Sequence, residues 1–304
     1  MTPPFISFSE GEALMTWQGL GEAFAQGHTR PKASIEDSFL YRGDDTVLSR
    51  AAWIDGMGQL VKTATIFPGN AAQRLSNING AVTLFSDETG VLEAVIDFHL
   101  VTKWKTAGDS VYAAKQLARP DSRNILLVGA GTVAHSLREA YDAVFPDAQF
   151  TVWNRSSAGA EKLAAAYPKV TVATDLETAV RAADIVTCAT MTTQPILRGD
   201  WLQPGQHIDL IGAYRPDMRE ADDACLKRAC VFVDSRDTTL GHIGEIKIPL
   251  EQNTISEADI LVDYYQPDRF KRPKNDEITL FKNGGGAHLD LMTSRYILEA
   301  WRAR

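Results

Sequence analysis

Between about residues 120 and 240, short apolar runs alternate with helical patterns, and this alternation constrains the fold more than any other feature of the chain. The runs are NILLVGAG, QFTVWN, KVTVAT, DIVTCAT, HIDLIGAY and ACVFVDS; SLREAYDAVF, AGAEKLAAAY, LETAVRAA and EADDACLKRA lie between them. Continuous β-branched runs separated by helices imply a parallel sheet covered on both faces. The expected class is α/β, with a doubly wound Rossmann domain over residues 120–286. Arg119-Pro120-Asp121-Ser122 marks its entrance, because proline and the residue before it resist continuing a helix. The first hundred residues read as strands (DDTVLSRAAWID, LVKTATIFPG, AVTLFSDETG, VLEAVIDFHLV), with SDETG as a hairpin loop and TAGDSVYAAKQLAR as a helix after them. The last segment, from ITLFKNGGGA onward, reads as a glycine-rich turn and an amphipathic helix. Residues 1–119 and 287–304 are expected to form a second α/β domain into which the first is inserted.

Composition narrows the function classes. A 44% hydrophobic share supports a real core, and a net charge of −8 argues against a nucleic-acid partner. No run approaches the ~18 apolar residues of a membrane span, and MTPPFISFSEGEALMTW lacks the basic and apolar regions of a signal peptide. Cys188, Cys225 and Cys230 are odd in number and lack metal-ligand spacing. They read as reduced, mostly buried thiols of a cytoplasmic protein, with no metal site.

In Gly129-Ala130-Gly131-Thr132-Val133-Ala134 the first glycine permits a tight turn and the second lets a pyrophosphate approach the backbone. The small Ala134 lets helix and strand pack closely, and the following helix offers free N–H groups to the phosphates. The turn follows ILLV and opens a helix, the context that a dinucleotide site requires. Thr190, at the end of DIVTCAT, joins the candidate cofactor residues. Where the second strand ends, an acid would receive the ribose 2′-hydroxyl; the chain instead offers Asn154-Arg155-Ser156-Ser157. An amide, a guanidinium and hydroxyls suit a 2′-phosphate, so NADPH is favoured, with NADH as the alternative. The competing reading of Arg155 is a solvated side chain at a helix start.

LVKTATIFPGN, DETGVLEAVIDFHLVTKWKTA, the GAGTVA turn, RPDMREADD, VFVDS, IGE and ITLFKNGGGA occur in one order. In this the chain resembles the ornithine cyclodeaminase/mu-crystallin family from about residue 30 to 301. The resemblance implies a homodimer whose terminal segments bind substrate and dimerise, and an activity on amino acids or their cyclic imines with a nicotinamide cofactor. It also implies that Lys62 is the active-site lysine and that Arg30 holds the substrate carboxylate. Lys105 stands where the family usually has arginine and would meet a carboxylate as a point charge. Thr106 matches a threonine beside the cofactor, and Asn283 replaces a common serine near the nicotinamide. Val61 and Ile66 around Lys62 look buried, which would desolvate its amine. Cyclodeaminases carry an aspartate after the strand HIDLIGAY; here that position is Tyr214, a candidate substrate contact, and Asp209 and Asp217 fall outside it. The leading reading is an imine reductase for a small cyclic ketimine acid such as Δ1-pyrroline-2-carboxylate. The alternatives are ornithine cyclodeamination, amino-acid dehydrogenation and non-catalytic NADPH binding.

Overall fold

The computed structural model describes residues 2–304 and divides into two compact units, one running to Lys105 and resuming at Gly286–Arg304, the other Thr106–Gly285. The first opens with β1 (Phe5–Ile6), α1 (Phe8–Glu12) and α2 (Trp17–Gly27). Five strands follow: β2 (Ser34–Arg42), β3 (Asp45–Ile54), β4 (Gly58–Ile66), β5 (Ile78–Phe85) and β6 (Leu92–Asp97). They form one sheet in the order β1-β6-β5-β4-β3-β2, antiparallel from β2 to β6, and the SDETG segment links β5 to β6 as expected. The helix α3 spans Phe98–Leu117, so Phe98-His99-Leu100-Val101 is helical and not the end of a strand. The cause is local: the Asp97 carboxylate accepts a hydrogen bond from the Leu100 N–H at 2.9 Å, satisfying an orphan donor of the first turn. The division between units falls inside α3, ahead of Pro120, which ends the helix without bounding a unit.

The second unit continues with β7 (Asn124–Val128), α4 (Thr132–Val144), β8 (Gln149–Trp153), α5 (Ser157–Ala166), β9 (Val170–Val172), α6 (Leu176–Ala182), β10 (Ile185–Cys188) and β11 (His207–Leu210). After these come α7 (Asp223–Arg228), β12 (Ala229–Val233), α8 (Arg236–Thr239), α9 (Gly244–Glu251), β13 (Ile260–Val262) and β14 (Ile278–Lys282). The eight strands form one sheet in the order β13-β12-β14-β11-β10-β7-β8-β9, parallel throughout. Strands β10, β11 and β14 are buried along their whole length, as expected of a sheet covered on both faces. Strand order reverses between β7 and β10, and dinucleotides bind at such a switch point, beyond the carboxyl ends of the strands. ITLFK is therefore not part of a turn: as β14 it sits between β11 and β12 in the sheet.

The terminal helix α10 (Ala287–Arg302) returns to the first unit and packs on β3, β4 and α2. No helix among the described residues is long and apolar enough to cross a membrane.

Candidate active site

Lys62 lies in the middle of β4, directly across from Arg50 on β3. Strand residues alternate between faces, and here Leu60, Lys62 and Ala64 are buried while Val61 is exposed and Ile66 only partly buried. The amine is desolvated as the sequence suggests, but for the opposite reason: it shares the buried face with Leu60 and Ala64, and its immediate neighbour points away. Its Nζ donates to Asp290 Oδ1 at 2.9 Å and sits 4.8 Å from the centre of the Phe98 ring. Burial pushes the Lys62 amine down to about 8, against the opposing pull of Asp290 and with a further push from the Lys105 charge. Burial alone would raise the Asp290 carboxyl, yet the charges of Lys62, Lys105 and Arg50 hold it below the usual range. At neutral pH the pair is thus a carboxylate and an ammonium able to release its proton near physiological pH.

Asp290 and Arg50 are residues that sequence reading misses. Asp290 comes from α10, where an acid in an amphipathic pattern resembles a solvated face. Arg50 grips Asp37 through two hydrogen bonds of 3.2 and 2.7 Å, and its other nitrogen lies 3.9 Å from Asp290. His288, two residues before Asp290 on α10, is fully buried, and burial pushes it down to about 3, so it is neutral. Lys105, at the unit's boundary, is buried as well. Arg30 is placed elsewhere: it is exposed and donates to the Gly56 carbonyl at 2.7 Å. Gly56 is in the turn before β4, and Lys62 is roughly 13 Å farther along that strand from Gly58. The guanidinium across from Lys62 is Arg50.

In the second unit, Gly129 has φ of +109°, and a Cβ there would meet the Ala189 carbonyl at 2.8 Å, so only glycine fits. A Cβ on Gly131 would meet open space, and α4 begins at this glycine with no side chain capping it. Its first N–H groups are left for a phosphate, and Gly131 and Thr132 are exposed while Ala130 and Val133 are half-buried. These residues fit a dinucleotide. Arg155 and Ser156 are exposed just past β8, and Asn154 donates from Nδ2 to the Ser156 carbonyl at 2.9 Å, shaping the loop that presents them. Asn283, just past β14, donates to the Thr106 carbonyl and to Ser110 Oγ, both at 3.0 Å, so these two candidates meet. Thr190 donates through its N–H and its hydroxyl to the buried Glu220 carboxylate.

Tyr214 is about half exposed, with the Arg215 guanidinium 5.9 Å from its ring. The two nearby acids do not replace an aspartate there. Asp209 is sealed in β11, accepting from Tyr141 and Thr187 at 3.0 and 2.7 Å, and burial pushes it up to about 6. Asp217 is exposed and paired with Arg215. Cys188 and Cys225 are buried, Cys230 is partly buried, and burial raises all three thiols.

Known proteins resemble this chain in sequence and in fold. The model of the ornithine cyclodeaminase/mu-crystallin family matches residues 53–304. A Δ1-pyrroline-2-carboxylate reductase of Paracoccus denitrificans is 49% identical over 303 residues, 97% of this chain and 96% of that protein. The structure of the Thermococcus litoralis Δ1-pyrroline-2-carboxylate reductase in complex with NADH and L-proline is 25% identical. It superposes with a TM-score of 0.90, covering 97% of this chain and 96% of that one. An archaeal alanine dehydrogenase dimer with bound NAD, also 25% identical, has a TM-score of 0.90 over 100% of this chain and 97% of that one. With the glycine turn, the reversed strand order and the buried lysine all in place, the chain belongs to the ornithine cyclodeaminase/mu-crystallin family.

Proposed function

We propose that this chain is an NAD(P)H-dependent imine reductase that converts Δ1-pyrroline-2-carboxylate to L-proline, with the six-membered piperideine analogue giving L-pipecolate as a second substrate. The observation that carries the reading is Lys62: a buried amine with a proton-release range near neutrality, held by one carboxylate and facing two further cations. The nicotinamide, when bound, supplies the hydride that imine C2 accepts. Lys62 gives its proton to the imine nitrogen, which makes C2 electrophilic, and is then reprotonated from solvent. Asp290 orients the amine through the 2.9 Å hydrogen bond. Arg50 and Lys105 supply positive charge for the substrate carboxylate, Arg50 as a charge alone because Asp37 already engages its Nε–Nη2 fork. Arg155 favours NADPH, where the Thermococcus relative is described with NADH.

Tyr214 in place of an aspartate, with Asp209 sealed and Asp217 paired, disfavours ornithine cyclisation. Initial rates, read by nicotinamide absorbance for the imine acid and by ammonia release for ornithine, will show the imine acid reduced with NADPH at least about a hundredfold faster than ornithine is consumed. Ready release of proline and ammonia from ornithine would overturn the assignment. The likeness to an alanine dehydrogenase supports a second reading, reductive amination of an open-chain oxo acid. Pyruvate with ammonia, run in the same series, separates the two.

The same proposal includes a homodimer. β2 is an edge strand, and Phe39, Leu40 and Tyr41 on it are exposed, as are Trp53 on β3 and Val61 on β4. An edge this apolar is normally covered. Sedimentation will give twice the 33.4 kDa chain mass, and Leu40→Lys with Tyr41→Lys will yield monomers. A wild-type chain that sediments as a monomer removes the dimer.

A further inference from the structure

The carboxyl edge of the parallel sheet holds a buried ionic group that the proposed chemistry does not use. Glu220 is fully buried. Its Oε1 accepts from the Thr190 N–H at 2.7 Å and the Thr190 hydroxyl at 2.9 Å, while Oε2 accepts from the Gly212 N–H at 2.6 Å. Thr190 stands two residues past β10 and Gly212 two past β11, so one carboxylate ties together the exits of two adjacent strands. The exits are packed tightly: a Cβ on Gly212 would collide with the Thr190 backbone. Ala189 and Thr190 in turn press on Gly129, the first glycine of the phosphate turn, whose missing Cβ leaves room for the Ala189 carbonyl and Thr190 Cγ2. Glu220 therefore reaches the cofactor turn through a single intervening residue.

The carboxylate is itself held. Glu245, also buried, accepts from the Glu220 N–H at 2.6 Å and the Ala221 N–H at 3.1 Å. Burial pushes both glutamate carboxyls up, Glu245 to about 7 with the Glu220 charge adding to the rise, while the Lys282 charge pulls the other way; Lys282, at the end of β14, donates to the Leu210 carbonyl at 2.9 Å. Two glutamates and a lysine are costly to bury, and packing alone would be served by apolar side chains. What these provide is a fixed acceptor for three donors at the place where a dinucleotide must lie.

We infer that Glu220 is a positioning residue for the cofactor, a clamp that sets the Thr190 and Gly212 strand exits against Gly129 in the arrangement that receives the dinucleotide. The inference rests on the proposed nicotinamide-dependent reaction. Glu220→Gln keeps one acceptor oxygen but turns an N–H₂ toward a donor at the other exit. Glu220→Asp keeps the charge beside Lys282 but is too short to reach both exits, and it carries the test should the glutamine variant not fold. Equilibrium binding of NADPH, read by quenching of protein fluorescence, is expected to weaken about tenfold or more in the folded variant. The Thr190 and Gly212 amides are expected to lose protection in hydrogen exchange, and at saturating NADPH kcat is expected to stay within threefold of wild type. A merely structural role would leave the affinity of the folded variant within twofold of wild type, and that result overturns the inference. Wild-type protein that binds neither NADPH nor NADH would instead overturn the proposed reaction.

Discussion

Lys62→Ala will lower turnover of the imine acid by about two to four decades while NADPH binding stays close to that of wild type. The reason is timing. The imine nitrogen requires its proton as C2 accepts hydride, so the loss is felt in the transition state and only weakly in either ground state. The pH profile follows from the same geometry. Lys62 acts in its protonated form, so the wild-type rate will fall as pH rises through about 8, and this limb will vanish in the mutant. The Asp290 charge favours the protonated amine, so Asp290→Asn will move the limb to lower pH. If Lys62 serves only to grip the carboxylate, the substrate KM will rise and kcat will persist. A mutant with normal kcat at saturating imine would remove Lys62 from the chemistry.

The second large effect concerns the cofactor. Arg155→Ala will raise the KM for NADPH about ten- to a hundredfold, the equivalent of a charge-assisted hydrogen bond of about 1.5–3 kcal/mol, and leave that for NADH nearly unchanged. Arg155 is exposed immediately beyond β8, and the Asn154 amide fixes the loop that carries it. An equal loss with both cofactors would make Arg155 a structural residue of that loop.

The dinucleotide unit is largely legible in the sequence because its evidence is local. Each strand is an apolar run beside its own helix, and the glycines of the turn are separated from their consequences by a few residues. What escapes is long-range or depends on strand parity. Lys62 and Asp290 lie 228 residues apart, and nothing in the pattern of either segment points to the other. Arg50 gains its place only from the register of β3 on β4. Val61 looks like the buried residue because it is apolar, but in a strand the face is decided by parity, and the parity is set by Leu60 and Ala64. β14 is masked by the glycines that follow it and by Lys282, whose burial is offset by the charges of Glu220, Glu245, Asp234 and Asp209. The start of α3 is the exception: Asp97 before a long helical pattern is a capping signal that local reading could have used.

The position of β14 also bears on how the chain is made. It is the last strand in sequence, yet it lies between β11 and β12, and it is followed at once by α10, which closes over the first sheet. During synthesis from the N-terminus, β12 and β13 therefore have no place in the sheet until Lys282 has emerged, and the first sheet lacks its cover until α10 follows. Neither unit can reach its final form while the chain is still short. A ribosome that stalls before β14 would hold two unfinished sheets with apolar faces open to solvent, a state prone to aggregation, so the final segment governs the assembly of everything that precedes it.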